Sequence, residues 1–241
     1  MSEITTRAAS EGVFEITLNR PEKRNALNDA LISAIEDAVS EAGRNQDCRA
    51  IVIRGAGKDF CSGADLSALQ KIADSDILEN LRDAELLADL FVTIRHCRVP
   101  VIAAVHGRAL AGGCGLATAC DIVLASESAR FGYPEVKIGF VPAMVMAILR
   151  RNLSEKAAFE IATRGFDFSA AEARDFGLVN RVFSDEQFDI EVAAFASEYA
   201  KLSASAVELT KRLLYEMDGM DFRTALRSGA DVNAIARTTK D

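Results

Sequence analysis

Fifteen consecutive residues, Gly107-Arg-Ala-Leu-Ala-Gly-Gly-Cys-Gly-Leu-Ala-Thr-Ala-Cys-Asp121, stand between two apolar runs, Val101-Ile-Ala-Ala-Val105 and Ile122-Val-Leu-Ala125. That order restricts the fold to strand, glycine-rich turn, small-residue helix, strand. Short apolar runs bounded by turn residues read as strands. A helix opening with Gly112-Gly113 presents unpaired backbone N–H groups at the positive end of its dipole. Neither glycine carries a Cβ, so a ligand oxygen can approach the peptide itself. The same glycines would also serve close packing of helix on strand, and the segment alone leaves both uses open.

The rest of the chain extends the pattern. Val13-Phe-Glu-Ile-Thr-Leu18 alternates and stops at Asn19-Arg-Pro21, the signature of a strand ended by proline. Leu31, Ile32, Ile35, Ala38, Val39 and Ala42 form a helical stripe behind an Asn/Asp start. Ala50-Ile-Val-Ile53 is a second strand, closed by Gly55-Ala-Gly57. A long amphipathic helix is expected from about Asp76 to His96, with its stripe on Leu78, Leu81, Leu86, Leu87, Leu90, Phe91 and Ile94. A short strand follows near Arg130-Phe131. From Pro142 onward helical patterns dominate, interrupted at Gly165 and at Gly177–Phe183. Strands alternating with helices, then a mostly helical last third, predict an α/β core with a helical C-terminal extension.

Composition narrows the partners. The 241 residues carry 28 basic and 36 acidic side chains, a net charge of −8, without a basic cluster. Nucleic acid is therefore not expected as a partner. No apolar run is long enough for a membrane span, and Met1–Ser10 lacks the apolar centre of a secretory signal. Cys48, Cys61, Cys97, Cys114 and Cys120 are odd in number and form no C-x-x-C pair, and only His96 and His106 could join them. No metal site is expected, and buried free thiols in a reducing, cytoplasmic setting are.

Two further segments could carry chemistry. Phe60-Cys-Ser-Gly-Ala-Asp-Leu66 repeats the device of a glycine turn after a strand. Two such turns can aim two peptide N–H groups at one oxygen, or can simply be turns. Glu135, in Arg130-Phe-Gly-Tyr-Pro-Glu-Val-Lys-Ile-Gly-Phe-Val-Pro142, lies between apolar stretches. It is either an acid/base with a raised pKa or a solvated glutamate paired with Lys137. His106 reads as a structural hydrogen-bonder, and Cys114 has no neighbouring base to make it a nucleophile.

Taken in order, Arg20-Pro-Glu-Lys-Arg-Asn-Ala-Leu-Asn28, Phe60–Leu66, Ala111-Gly-Gly-Cys114, Pro134-Glu135 and Phe176-Gly-Leu-Val-Asn180 resemble the crotonase (enoyl-CoA hydratase/isomerase) superfamily from about residue 11 to the end. The resemblance implies a spiral of ββα units over residues 1–185 and a helical C-terminal trimerisation region over 186–241. It implies an acyl-CoA thioester as substrate, with coenzyme A part of the substrate and no separate cofactor, and a homotrimer or a hexamer made of two trimers. Ala64 and Gly112 match the two peptide donors of the family's oxyanion hole. Arg24, Ala26, Asp65, Leu66, Ser67 and Gly113 fall at or beside the substrate-binding positions, and Glu135 matches one of two catalytic glutamates. The other, in G-G-G-x-E-L, corresponds to Gly115 here.

The resemblance implies a lyase of fatty acid metabolism, an enoyl-CoA hydratase acting on a 2-enoyl-CoA through an enolate. The alternatives are a Δ3-Δ2-enoyl-CoA isomerase using Glu135 alone, an acyl-CoA thioester hydrolase, and a non-catalytic acyl-CoA-binding protein. Ala143-Met-Val-Met-Ala147 replaces the glycine-rich run common in hydratases and is expected to reshape the acyl pocket towards short or branched groups. The tail at Thr238–Asp241 is short for the family, which would leave the CoA end of the pocket or a trimer contact incomplete.

Overall fold

The computed structural model describes residues 2–10, 12–65 and 75–241. Its main sheet contains β1 (Ile4–Ser10), β2 (Val13–Leu18), β3 (Ala50–Gly55), β4 (Val101–Val105), β6 (Ile122–Ser126) and β9 (Arg181–Phe183), side by side in that order. β1 and β2 are antiparallel, and every later neighbour is parallel. A second sheet joins β5 (Arg108–Leu110), β7 (Arg130–Gly132) and β8 (Asp167–Ser169). β5 lies inside the glycine-rich turn, so that turn contains a strand of its own.

Period-2 alternation divides the main sheet into two faces. One turns Ile16, Leu18, Ile51, Ile53, Val101, Ala103 and Val105 into the principal core. The other turns Val13, Ala50, Val52, Ile102, Ala104 and Leu124 towards Phe188, Val192 and Ala196 of a later helix. Burial on both faces is why β4 is apolar throughout.

The helices are α1 (Asp29–Arg44), α2 (Ile77–His96), α3 (Gly112–Ala119), α4 (Ala143–Asn152), α5 (Glu155–Arg164), α6 (Ala170–Phe176), α7 (Phe188–Glu198), α8 (Ala204–Glu216) and α9 (Phe222–Ala236). α1 starts where the Asn28 side chain accepts the Leu31 N–H at 2.8 Å, and it buries the whole expected stripe. α2 begins with an Asp76/Glu79 capping box but departs from expectation. Only Leu90, Phe91 and Ile94 are buried, whereas Leu78 and Leu81 are exposed.

α8 is anchored by a buried ion pair, Lys211 Nζ to Asp121 Oδ2 at 2.7 Å, with Tyr215 Oη on Asp121 Oδ1 at 2.5 Å. The same ammonium donates to the Ile94 and Val99 carbonyls, each at 3.0 Å. α9 buries none of its residues and leaves Phe222 and Leu226 exposed. Among the described residues no helix is long and apolar enough to cross a membrane.

Candidate active site

Three segments meet at the start of α3. The first is the turn at 24–27, where Arg24 and Asn25 both adopt left-handed backbone (φ 52° and 54°). The fully buried Asn25 side chain holds this turn, accepting the Arg20 N–H at 3.0 Å and donating to the Ala56 and Asp59 carbonyls at 2.8 Å. The second segment, 61–65, is threaded between that turn and β5. On one side Leu27 N–H donates to the Gly63 carbonyl (2.7 Å) and Asp65 N–H to the Leu27 carbonyl (3.0 Å). On the other, Cys61 N–H donates to the Arg108 carbonyl and its own carbonyl accepts the Leu110 N–H, both at 3.0 Å.

The bonds flanking Ala64 engage Leu27 through residues 63 and 65, so the N–H of Ala64 itself turns away from Leu27. Gly63 permits this course: its φ is +98°, and a Cβ there would stand 2.9 Å from Ala111 Cβ. Ala111, just before α3, is itself held at φ 48°, ψ −126°, outside the usual range of a non-glycine residue. Its N–H is bonded to the Gly132 carbonyl at 2.8 Å, which ties the helix start to β7. Gly112 is the first residue of α3. Among the described residues, neither its N–H nor that of Ala64 has an acceptor.

The third segment is the 3₁₀ turn Pro134–Ile138, which follows β7 and ends at Gly139 in left-handed backbone. It carries Glu135. The carboxylate Oε2 is buried without a hydrogen-bond partner, and burial raises the pKa of this group. That oxygen makes no pair with Lys137, the partner the sequence allowed. Tyr133, fully buried, places its hydroxyl 3.0 Å from Thr118 Oγ1, and the Thr118 hydroxyl donates to the Cys114 carbonyl at 2.9 Å. The turn bearing Glu135 is thereby fastened to the helix bearing Gly112.

Gly115, one turn into α3, is closed off. A Cβ there would lie 2.6 Å from Val145 Cγ1 and 3.0 Å from Phe91 Cζ. Gly113 is packed as closely, since its Cβ would be 2.3 Å from the Cys61 carbonyl oxygen. Two side chains from α2 and α4 therefore occupy the ground where a side chain at 115 would stand.

The remaining candidates are distributed unevenly. Asp65 is buried and its carboxylate is engaged by Arg20 at 2.9 Å, while Arg20 also donates to the Ala26 carbonyl at 2.6 Å. Ala26 is buried, and the exposed Arg24 guanidinium stands 4.0 Å from Asp59. Leu66 and Ser67 lie outside the described residues. A ring nitrogen of His106 is 3.0 Å from the Gly57 carbonyl, a structural contact. Burial pushes the Cys114 thiol up to about 12, far from a nucleophilic thiolate. Two concavities of about 590 and 450 Å³ open elsewhere, one beside Arg54, Lys58 and His106, the other beside Tyr199, Leu202 and Leu214. Neither contains Glu135, Ala64 or Gly112.

Sequence reasoning passed over Asn25, Thr118, Tyr133 and Phe91. Asn25 was readable only as part of Arg20–Asn28, and the other three act through contacts with residues far along the chain.

This arrangement of sheets and helices is that of the crotonase fold. An enoyl-CoA hydratase from Mycobacterium smegmatis superposes with a TM-score of 0.93 at 32% identity, covering 98% of this chain and 91% of that one. Human enoyl coenzyme A hydratase domain-containing protein 3 superposes with a TM-score of 0.92 at 29% identity, over 99% and 93% of the two chains. A sequence model described as Enoyl-CoA hydratase/isomerase matches residues 8–235. A Thermus thermophilus protein named among the enoyl-CoA hydratases is 41% identical over 229 residues, 95% of this chain and 90% of its own. The chain belongs to the enoyl-CoA hydratase/isomerase family.

Proposed function

We propose that this protein is an acyl-CoA enzyme of the enoyl-CoA hydratase type, in which Glu135 is the sole acid/base and the N–H groups of Ala64 and Gly112 hold the thioester oxygen. The observation that carries this reading is Glu135 itself: a buried, unpartnered carboxylate oxygen with a raised pKa, fastened through Tyr133 and Thr118 to the helix whose first N–H is unpaired. In hydration Glu135 takes a proton from water as the oxygen adds to C3 of a 2-enoyl-CoA. Negative charge moves to the thioester oxygen, where two preorganised donors stabilise the enolate. The same carboxyl group then delivers its proton to C2, which restores the thioester and the carboxylate. A raised pKa suits a group that must both accept and return a proton near neutrality.

Arg24, Ala26, Asp65, Leu66, Ser67 and Gly113 belong in this reading to the substrate-binding surface. For Asp65 and Ala26 the contribution is the backbone course that Arg20 stabilises, because the Asp65 carboxylate is already engaged. Coenzyme A enters as part of the substrate, and no other cofactor is invoked. The exposed apolar residues of α9 support assembly with further copies, as a trimer or a pair of trimers. We assign the protein to the cytoplasm by analogy with its bacterial relatives, although a mouse relative of 32% identity is named as mitochondrial.

A second reading, Δ3-Δ2-enoyl-CoA isomerisation, is favoured by the apolar closure at Gly115. With Val145 and Phe91 against Gly115, position 115 offers no second carboxylate to hold water, and moving one proton from C2 to C4 requires a single base. Supplying 2-enoyl- and 3-enoyl-CoA separately in heavy water separates the readings by product mass. Hydration adds one water, and isomerisation shifts the double bond with hydrogen exchange. Release of free thiol would instead mark a thioester hydrolase. Binding of acyl-CoA without turnover, unchanged in Glu135→Gln, would mark a binding protein.

A further inference from the structure

The segment that carries Glu135 touches α3 at two points. At the start of the helix the Gly132 carbonyl accepts the Ala111 N–H at 2.8 Å, next to Gly112. Seven residues later, about 10 Å along the axis, Thr118 Oγ1 stands 3.0 Å from the hydroxyl of Tyr133. Both side chains are buried, Tyr133 completely. Thr118 has a single hydroxyl hydrogen and directs it within α3, to the Cys114 carbonyl at 2.9 Å. Tyr133 is therefore the donor of the bond between them, and Thr118 the acceptor.

One contact alone would let the segment pivot against the helix, whereas two contacts this far apart fix its orientation. Glu135 follows Tyr133 by two residues, across Pro134, whose ring fixes its own φ. With Oε2 unpartnered, no bond at that oxygen steers the carboxylate, and its position is set by the backbone that carries it. We propose that the Tyr133–Thr118 hydrogen bond is a positioning device for the reaction, one that sets the place of the Glu135 carboxylate relative to the N–H of Gly112. The inference rests on Glu135 as the base and Gly112 as a donor to the thioester oxygen. Both hydroxyls are buried, so the pair acts through the two groups it aligns. A displacement of about 1 Å between such groups is enough to cost on the order of 10²-fold in rate.

The test is exchange of the C2 hydrogen of butyryl-CoA in heavy water, followed by mass, on the wild type, Tyr133→Phe, Thr118→Val and Thr118→Ser. Exchange needs only a base beside C2 and donors on the thioester oxygen, so it reports on their alignment whichever reaction the enzyme completes. Tyr133→Phe and Thr118→Val are expected to lower kcat for exchange by at least about fivefold with KM held within about twofold, the mark of an interaction that counts only in the transition state. Thr118→Ser keeps the acceptor and is expected to retain the wild-type rate. A smaller loss in Tyr133→Phe, or a change confined to KM, overturns the proposal. So does a Thr118→Ser variant as slow as Thr118→Val, because packing would then account for the effect.

Stability measures the bond without reference to turnover. Thr118→Val leaves the buried Tyr133 hydroxyl without its acceptor and is expected to melt below Tyr133→Phe, and Tyr133→Phe/Thr118→Val should melt above Thr118→Val. Additive losses would mean that the two hydroxyls do not pair, which overturns the proposal. Should Thr118→Val fail to fold, Tyr133→Phe and Thr118→Ser carry the comparison. Glu135→Gln separates this inference from the reading beneath it. If Glu135→Gln exchanges as fast as the wild type, or the wild type exchanges nothing, the proposed function fails and the positioning role with it. If Glu135→Gln is slow while Tyr133→Phe is not, the function stands and only the positioning role is removed.

Discussion

Glu135 keeps its carboxylate in a place where the charged form is disfavoured, and this affects both stability and activity. Its pKa is raised by burial, so the native state favours the protonated carboxyl more than the unfolded chain does. The stability this contributes is complete below the ordinary glutamate value and is lost as pH rises through the raised one. Glu135→Gln keeps a neutral group at every pH. It is therefore expected to melt like the wild type in acid and above it from neutral pH upward, in thermal scans across a pH series. A wild type that gains stability over the variant with rising pH would reverse the sign and refute the assignment. In turnover the same substitution should cost about 10²–10⁴-fold in kcat, the usual worth of general acid–base catalysis. Burial acts on the cysteines in the same direction, pushing the Cys48, Cys61 and Cys114 thiols up to about 11, 12 and 12, which leaves them unreactive. Native protein is expected to react slowly with a thiol reagent such as dithionitrobenzoate, and all five thiols promptly after denaturation.

Among the elements, legibility followed length and burial. α1 was readable residue by residue because its whole apolar stripe is buried against one sheet face behind an Asn28 cap. The α2 stripe was over-read: periodicity shows which side chains share a face, but which part of that face meets the core depends on the path of the chain. β1 went unread because six of its seven residues are exposed and polar or small, without alternation. β5, β8 and β9 have three residues each, too few to establish a period. α8 depends on a contact that no pattern announces, the buried Lys211–Asp121 pair with Tyr215 on the same carboxylate. Lys211→Met leaves Asp121 without its cation and is expected to destabilise the protein by about 3–5 kcal/mol in urea titration. A change near zero would mean that α8 is held by its apolar contacts alone.

For the whole molecule, the unpartnered face of α9 carries the largest consequence. Phe222 and Leu226 are one turn apart and exposed at 80% and 60%, and Ile235 is exposed at 49%. Apolar side chains grouped in this way on a helix without buried residues are expected to be covered by other copies of the chain. Sedimentation should therefore report three or six chains, and Phe222→Asp/Leu226→Asp should lower that number. A wild type that sediments as one chain would refute the assembly.

The sequence by itself determined the family and the alternation of strands and helices, and it nominated Ala64, Gly112 and Glu135 as site candidates. All of these reside in local signals: glycines where backbone must be approached, apolar periods, and a short ordered set of motifs. It also showed that Gly115 replaces an expected carboxylate. Only the tertiary structure decided what fills that position, because Phe91 and Val145 come from two other helices, 24 residues before Gly115 and 30 after it in the chain. The same holds for the clamp from Tyr133 to Thr118, for the engagement of Asp65 by Arg20, and for the lack of a Lys137 pair at Glu135 Oε2. Close packing is a property of side chains brought together from distant parts of the sequence. For that reason the candidate residues could be named from the sequence, whereas the packing around them could not.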